Sequence, residues 1–121
     1  MKILIIDDDE LVRMTCRNVL KKEGHDVLEA ENGNEGVNVF KSKKPDLVIT
    51  DILMPDKEGL ETISEIKAAN PSAKIIAISS GGSSKNMSFL KLAKQLGADH
   101  AMTKPLKPSE LIAVTKHFLK K

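Results

Sequence analysis

The chain has 121 residues, 40% of them hydrophobic and 30% charged, enough for one core of ordinary domain size, which excludes a disordered chain. Three Phe with no Tyr or Trp exclude the aromatic platforms that stack single-stranded nucleic acid, and a single Cys excludes a disulfide framework or a cysteine zinc site. The net charge of +2 is uneven: residues 1–84 hold 11 Lys or Arg against 15 acids, and residues 85–121 hold eight Lys against two acids. That basic last third reads either as a solvated surface or as a face for an acidic partner.

Apolar runs and helical patterns alternate along the chain. Ile3–Ile6 is a short continuous apolar run, as in a strand buried on both faces, and is too short for a signal segment or a membrane span. Glu10 to Glu23 carries Val12, Cys16, Val19 and Leu20 on one helical face, closed by Gly24. Asp26–Ala30 is a second strand. Asn32-Gly33 marks a turn, and Asn34–Ser42 is a short helix with Val37 and Phe40 inward. Pro45 breaks the chain before a third strand, Asp46–Thr50. Glu58–Ala69 is a helix carrying Leu60, Ile63 and Ile66, ended by Asn70-Pro71. Lys74–Ile78 is the fourth strand. Gly81 to Ser84 is a loop, and Lys85–Leu96 is a helix whose period turns Phe89, Leu92, Ala93 and Leu96 inward and leaves Met87, Lys91 and Lys94 outside. Gly97 ends it. His100–Thr103 is the fifth strand, and Pro108-Ser109 opens a last helix with Leu111, Ile112, Thr115, Phe118 and Leu119.

Five strands separated by helices run parallel, with right-handed crossovers and helices on both faces. The expected fold is therefore α/β, a doubly wound five-stranded parallel sheet. In such sheets ligands sit beyond the carboxyl ends of the strands. Asp7, Asp8, Asp9 and Glu10 follow the first strand, Asp51 the third, Ser79 and Ser80 the fourth, and Thr103, Lys104 and Pro105 the fifth. Crowded carboxylates raise one another's pKa unless a cation compensates, and carboxylates with carbonyls and waters suit Mg²⁺. A Lys aimed at the same point suits an anion beside the metal, and a hydroxyl completes what a phosphoryl group needs. A central carboxylate can itself attack phosphorus and form an acyl phosphate. Asp9 reads as a helix N-cap or a site residue, Cys16 as core packing, and His25 as structural, since His25, His100 and His117 show no ligand spacing.

Taken together, Ile3 to Asp9, Asp51-Ile52-Leu53-Met54-Pro55 with Gly59 eight residues after Asp51, Ile78-Ser79 and Lys104-Pro105 resemble the receiver domain of bacterial two-component response regulators. The resemblance covers Lys2 to Leu119 and implies a flavodoxin-like (βα)5 fold with strand order 2-1-3-4-5. It implies Asp51 as the phosphoacceptor, Asp8 as a direct Mg²⁺ ligand with Asp7 acting through water, and the Leu53 backbone carbonyl as a further ligand. It also implies that Ser79 and Lys104 bond phosphoryl oxygens, and that the Lys104-Pro105 bond is cis. The implied partners are a sensor histidine kinase or phosphotransfer protein, and an output protein on the face of helix four, strand five and helix five. No direct nucleic-acid or membrane contact is implied.

Two features depart from the family pattern. Ala101-Met102-Thr103 stands where many members carry an aromatic signal residue. Leu53 and Gly81 offer no polar side chain to orient a hydrolytic water, so a slow loss of the phosphoryl group is expected. Leu53 also occupies the position where an aspartate-nucleophile phosphatase places its general acid, which argues against such an enzyme. The expectation is one cytoplasmic receiver domain over residues 1–121, stand-alone or cut from a longer regulator or hybrid kinase. It would catalyse only its own phosphorylation and dephosphorylation.

Overall fold

The computed structural model describes residues 1–52, 59–80 and 91–119. Its strands are β1 (Lys2–Ile6), β2 (Asp26–Ala30), β3 (Leu47–Asp51), β4 (Ile75–Ser80) and β5 (His100–Lys104). Its helices are α1 (Glu10–Lys22), α2 (Gly33–Lys43), α3 (Gly59–Ala69), α4 (described over residues 91–96) and α5 (Pro108–Phe118). The strands form one parallel sheet in the order β2-β1-β3-β4-β5, the doubly wound fold expected from the alternation.

Strand composition accounts for the order. Ile3 to Ile6 of β1, Leu47 to Ile49 of β3 and Ile75 to Ile78 of β4 are buried, and apolar side chains on both strand faces need a layer on each side. β2 and β5 are only half buried, as edge strands are. Alternate side chains then feed two cores. Ile3, Ile5, Leu47, Ile49, Ile76 and Ile78 pack with Cys16 and Leu20 of α1 and Leu111 of α5. Leu4, Ile6, Val48, Ile75 and Ala77 pack with Val37 and Phe40 of α2, Ile63 and Ile66 of α3, and Ala93 of α4.

Local chemistry sets the helix limits. Asp9 is the N-cap of α1, its side chain accepting from the Leu11 N–H, and Asn32 caps α2 by accepting from Glu35 N–H. After α1, Gly24 has φ +90°, and the His25 and Gly24 N–H groups donate to Leu20 and Lys21 carbonyls. A side chain at Gly24 would meet nothing, so the conformation, and not crowding, selects glycine. Cys16 is fully buried, and burial pushes its thiol up to about 12, as a packing residue.

The inward face expected of α4 needs correction. Ala93 is buried, but Leu92 and Leu96 are 44% and 41% exposed, and Phe89 and Met87 lie outside the described residues. At 3.6 residues per turn the two leucines lie about 100° and 60° round the same flank of Ala93. Among the described residues the helix meets the sheet through its smallest side chain, and the leucines lie to one side of that contact instead of centring on it. Lys91 and Lys94 are exposed as expected.

At Gly59 close approach is absolute. A Cβ there would lie 2.0 Å from the Asp51 carbonyl oxygen and 2.4 Å from Ile52 Cα, while the Gly59 N–H donates to the Ile52 carbonyl at 3.0 Å. The first turn of α3 is thus seated directly on the backbone that carries Asp51. Gly59→Ala is expected to lower unfolding free energy by about 3 kcal/mol, since both clashing groups are main chain. Denaturant unfolding followed by circular dichroism measures this, and a loss below about 1 kcal/mol would contradict the packing.

Candidate functional site

Register brings the site together. Ile6 of β1 pairs with Thr50 of β3, so Asp7 and Asp51, the next residue on each strand, emerge side by side. Asp51 pairs with Ile78, which puts Ser79 one step further along β4, and Lys104 pairs with Ser80 at the end of β5. Lys104 begins two strands away from Asp51, and its four-carbon stem spans the gap. Its Nζ lies 3.0 Å from Asp7 Oδ2 and 3.3 Å from Asp51 Oδ2. The Lys104-Pro105 peptide is cis, as the resemblance implied.

These groups are withdrawn from water. Asp7 is fully buried, Asp51 is 5% exposed and Ser79 is 1% exposed, whereas Asp8 is exposed. Burial pushes the Asp7 carboxyl up to about 6; the Asp9 N–H opposes the shift, the Asp51 charge adds to it, and Lys104 opposes it again. Burial acts to lower the Lys104 ammonium, but the carboxylates of Asp7 and Asp51 outweigh it and hold that pKa above the usual lysine value. Asp7 Oδ1 accepts from the Asp9 N–H at 2.9 Å. Among the described residues Asp7 Oδ2 takes no aligned hydrogen bond, so the Lys104 ammonium reaches it as a charge.

A divalent cation fits here. Asp7, Asp8 and Asp51 each offer a carboxylate oxygen, and these atoms lie within 4.8 Å of one another. Two buried carboxylates and an exposed third, with one ammonium shared by the buried two, form a hard-oxygen cluster short of positive charge, the donor set that Mg²⁺ takes. Leu53, expected to add its carbonyl, and Gly81 lie outside the described residues.

The other sequence expectations separate. Asp9 serves as the α1 cap. His25 lies at the amino-terminal edge of β2, across the sheet from the carboxylates. In β5, Met102 is buried in the α1/α5 core, Ala101 packs against the opposite core and Thr103 is exposed, so no ring stands at residues 101–103. One group had escaped the sequence reading. Arg13 Nη1 donates to the main-chain carbonyl of Asp7 at 2.7 Å, its Nε lies 3.4 Å from Glu29, and Arg17 Nη1 donates to the other Glu29 oxygen at 2.7 Å. The available signal was two arginines one helical turn apart, opposite an acid inside a strand.

A groove of about 470 Å³ opens beside the site. It runs from Lys104, Pro105 and Leu106 to Leu11, Val12, Thr15 and Cys16 of α1. Leu11 is 63% exposed at its rim. Among the described residues no helix is long and apolar enough to cross a membrane.

The sequence profile of the response regulator receiver domain matches residues 3–116. The chain is 42% identical over 115 residues to the chemotaxis protein CheY of Halobacterium salinarum, covering 94% of this chain and 93% of that one. It is 32% identical to the alkaline phosphatase synthesis transcriptional regulatory protein PhoP of Bacillus subtilis, covering 99% of this chain and 49% of that one. Its backbone superposes on the receiver domain of NtrX from Brucella abortus with a TM-score of 0.91 at 29% identity, covering 98% of both chains. A profile match over nearly all of its length, a CheY 42% identical and the 2-1-3-4-5 sheet place the chain in one family: it belongs to the response regulator receiver domains.

Proposed function

We propose that residues 1–121 act as one phosphorylation-driven switch in which Asp51 accepts a phosphoryl group in the presence of Mg²⁺. The observation that carries this reading is the cluster itself: three carboxylates within 4.8 Å, with a lysine ammonium between two of them. The donor is the phosphohistidine of a sensor histidine kinase or phosphotransfer protein, and the apolar groove beside Lys104 gives that protein a place to lie. An Asp51 carboxylate oxygen bonds to phosphorus as the phosphorus–nitrogen bond to the imidazole breaks, and the freed imidazole takes up a proton. Asp8 and Asp51, with Asp7 acting through water, would hold Mg²⁺, which would supply positive charge for the transfer. Lys104 meets a second oxygen, and the Ser79 hydroxyl, on the adjoining strand, meets a third. The chain modifies its own aspartate, so it is a switch and not a turnover enzyme.

Lys104 links this chemistry to the output face. It ends β5, whose Ala101 packs on the core that also takes Ala93 of α4, the helix that exposes Leu92, Leu96, Lys91 and Lys94. When the ammonium follows the phosphoryl group, β5 and its neighbours shift toward a second arrangement. A partner with an apolar anchor and an acidic rim matches the exposed leucines and lysines of α4.

Incubation with acetyl phosphate and Mg²⁺ is expected to add one phosphoryl group, visible by intact-mass spectrometry, and Asp51→Asn to abolish it. Asp8→Ala is expected to remove most of the Mg²⁺ dependence. Equal incorporation in parent and Asp51→Asn would overturn the assignment.

Asp7 makes the metal-free fold pH-dependent in a defined direction. Its pKa is about 6 in the folded chain against 3.8 as a free side chain, so between those values the folded state holds more protons than the unfolded one. Stability from this group is therefore present below 3.8 and lost as pH rises through 6. Asp7→Asn removes the loss and is expected to raise metal-free unfolding free energy by at most about 3 kcal/mol above pH 7, a gain that shrinks as the pH falls toward 4. Denaturant titrations in chelator across that range measure it; a pH-independent difference would contradict the buried charge.

A further inference from the structure

We propose that Arg13 is a positioning residue for the acidic turn, fixing the peptide that joins Asp7 to Asp8 and thereby setting Mg²⁺ affinity. The inference rests on the reading of the site as a Mg²⁺-dependent phosphoacceptor.

Asp7 is held at both ends of its backbone. Its N–H donates to the Ala30 carbonyl at 3.1 Å, and its carbonyl accepts from Arg13 Nη1 at 2.7 Å. That carbonyl and the Asp8 N–H belong to one planar peptide, so the bond that fixes the carbonyl also fixes the direction in which the Asp8 Cα leaves it. Asp8 is exposed, and no hard packing fixes its side chain. Its placement next to Asp7 and Asp51 depends on the main chain of the turn.

Arg13 is itself located from outside the site. Its side chain is 11% exposed, and its Nε faces one Glu29 oxygen, while Arg17 holds the other. Glu29 stands on β2 opposite Ile5 of β1, in the hydrogen-bonded part of the sheet. The chain of contacts therefore runs from β2 through Glu29 and Arg13 to the turn. Arginine suits the task because its planar fork presents Nη1 and Nε to two partners at once in fixed geometry, and its hydrogen bond to a neutral carbonyl is charge-assisted. A lysine has one donor atom for both. Partners outside the ligand set commonly govern metal affinity in this way.

The test is a Mg²⁺ titration of the unphosphorylated protein at fixed ionic strength, followed through the amide NMR signals of Asp8 and Asp9. Circular-dichroism unfolding of each variant runs alongside it. Arg13→Met is expected to weaken Mg²⁺ binding about tenfold, Arg13→Lys to recover part of the loss, and Glu29→Gln to weaken binding in the same direction by a smaller factor. Arg17→Met breaks only the outer contact and is expected to stay within about twofold of the parent, whatever its stability, which separates positioning from a general loosening of α1. A folded Arg13→Met that binds Mg²⁺ as tightly as the parent overturns the inference. If that variant does not fold, unchanged affinity in Glu29→Gln overturns it instead. A parent that takes up no Mg²⁺ overturns the reading of the site and this inference with it, whereas a parent that binds and is phosphorylated beside an unaltered Arg13→Met overturns the inference alone.

Discussion

Two carboxylates buried side by side are the constraint on which this molecule turns. The β1–β3 register puts Asp7 and Asp51 at the same level of the sheet, and neither is free to retreat into solvent. Like charges so placed disfavour ionisation, and the molecule answers with one ammonium set between them. That ammonium comes from β5, so the arrangement requires β3, β4 and β5 in their observed order and a lysine at the end of an edge strand. It also requires α3 to begin at a residue without a Cβ, because the backbone at Asp51 occupies the space that a side chain would take.

Most of this was legible in the sequence. Continuous apolar runs fit only strands covered on both faces, and β-α alternation fits only a parallel sheet, so the carboxyl edge could be located by noting which polar residue follows each run. Asp7, Asp8, Asp51, Ser79 and Lys104 were found by that rule, and the structure brings Asp7, Asp8 and Asp51 within reach of one cation, with Lys104 between Asp7 and Asp51. Asp9 was left between two roles, because an aspartate before a helix satisfies both patterns; the hydrogen bond to Leu11 N–H decides for the cap.

What escaped the reading depends on distances between segments remote in sequence. Arg13 and Glu29 are 16 positions apart, and nothing in helical or strand period says that a guanidinium on α1 meets the Asp7 carbonyl just after β1 and a carboxylate of β2. The α4 face was misread for a related reason. Period gives the direction of an apolar stripe but not the line along which the helix touches the sheet, and a small residue such as Ala93 permits closest approach there. The displaced leucines leave apolar surface on the basic part of the chain.

The sharing of Lys104 has a thermodynamic corollary. In the structure its ammonium lies against both Asp7 and Asp51, so a cation entering between those carboxylates would compete with it for the same oxygens. Once displaced, the ammonium is a buried-side charge in need of a new counter-ion, and an anion arriving at that edge finds it already released. A cation and an anion taken up there would therefore be heterotropic ligands with positive coupling, and reciprocity would require each to tighten the other by the same factor. A site of this construction would work as a coincidence detector: either ligand alone would have to break the lysine's contacts, and the two together would replace them.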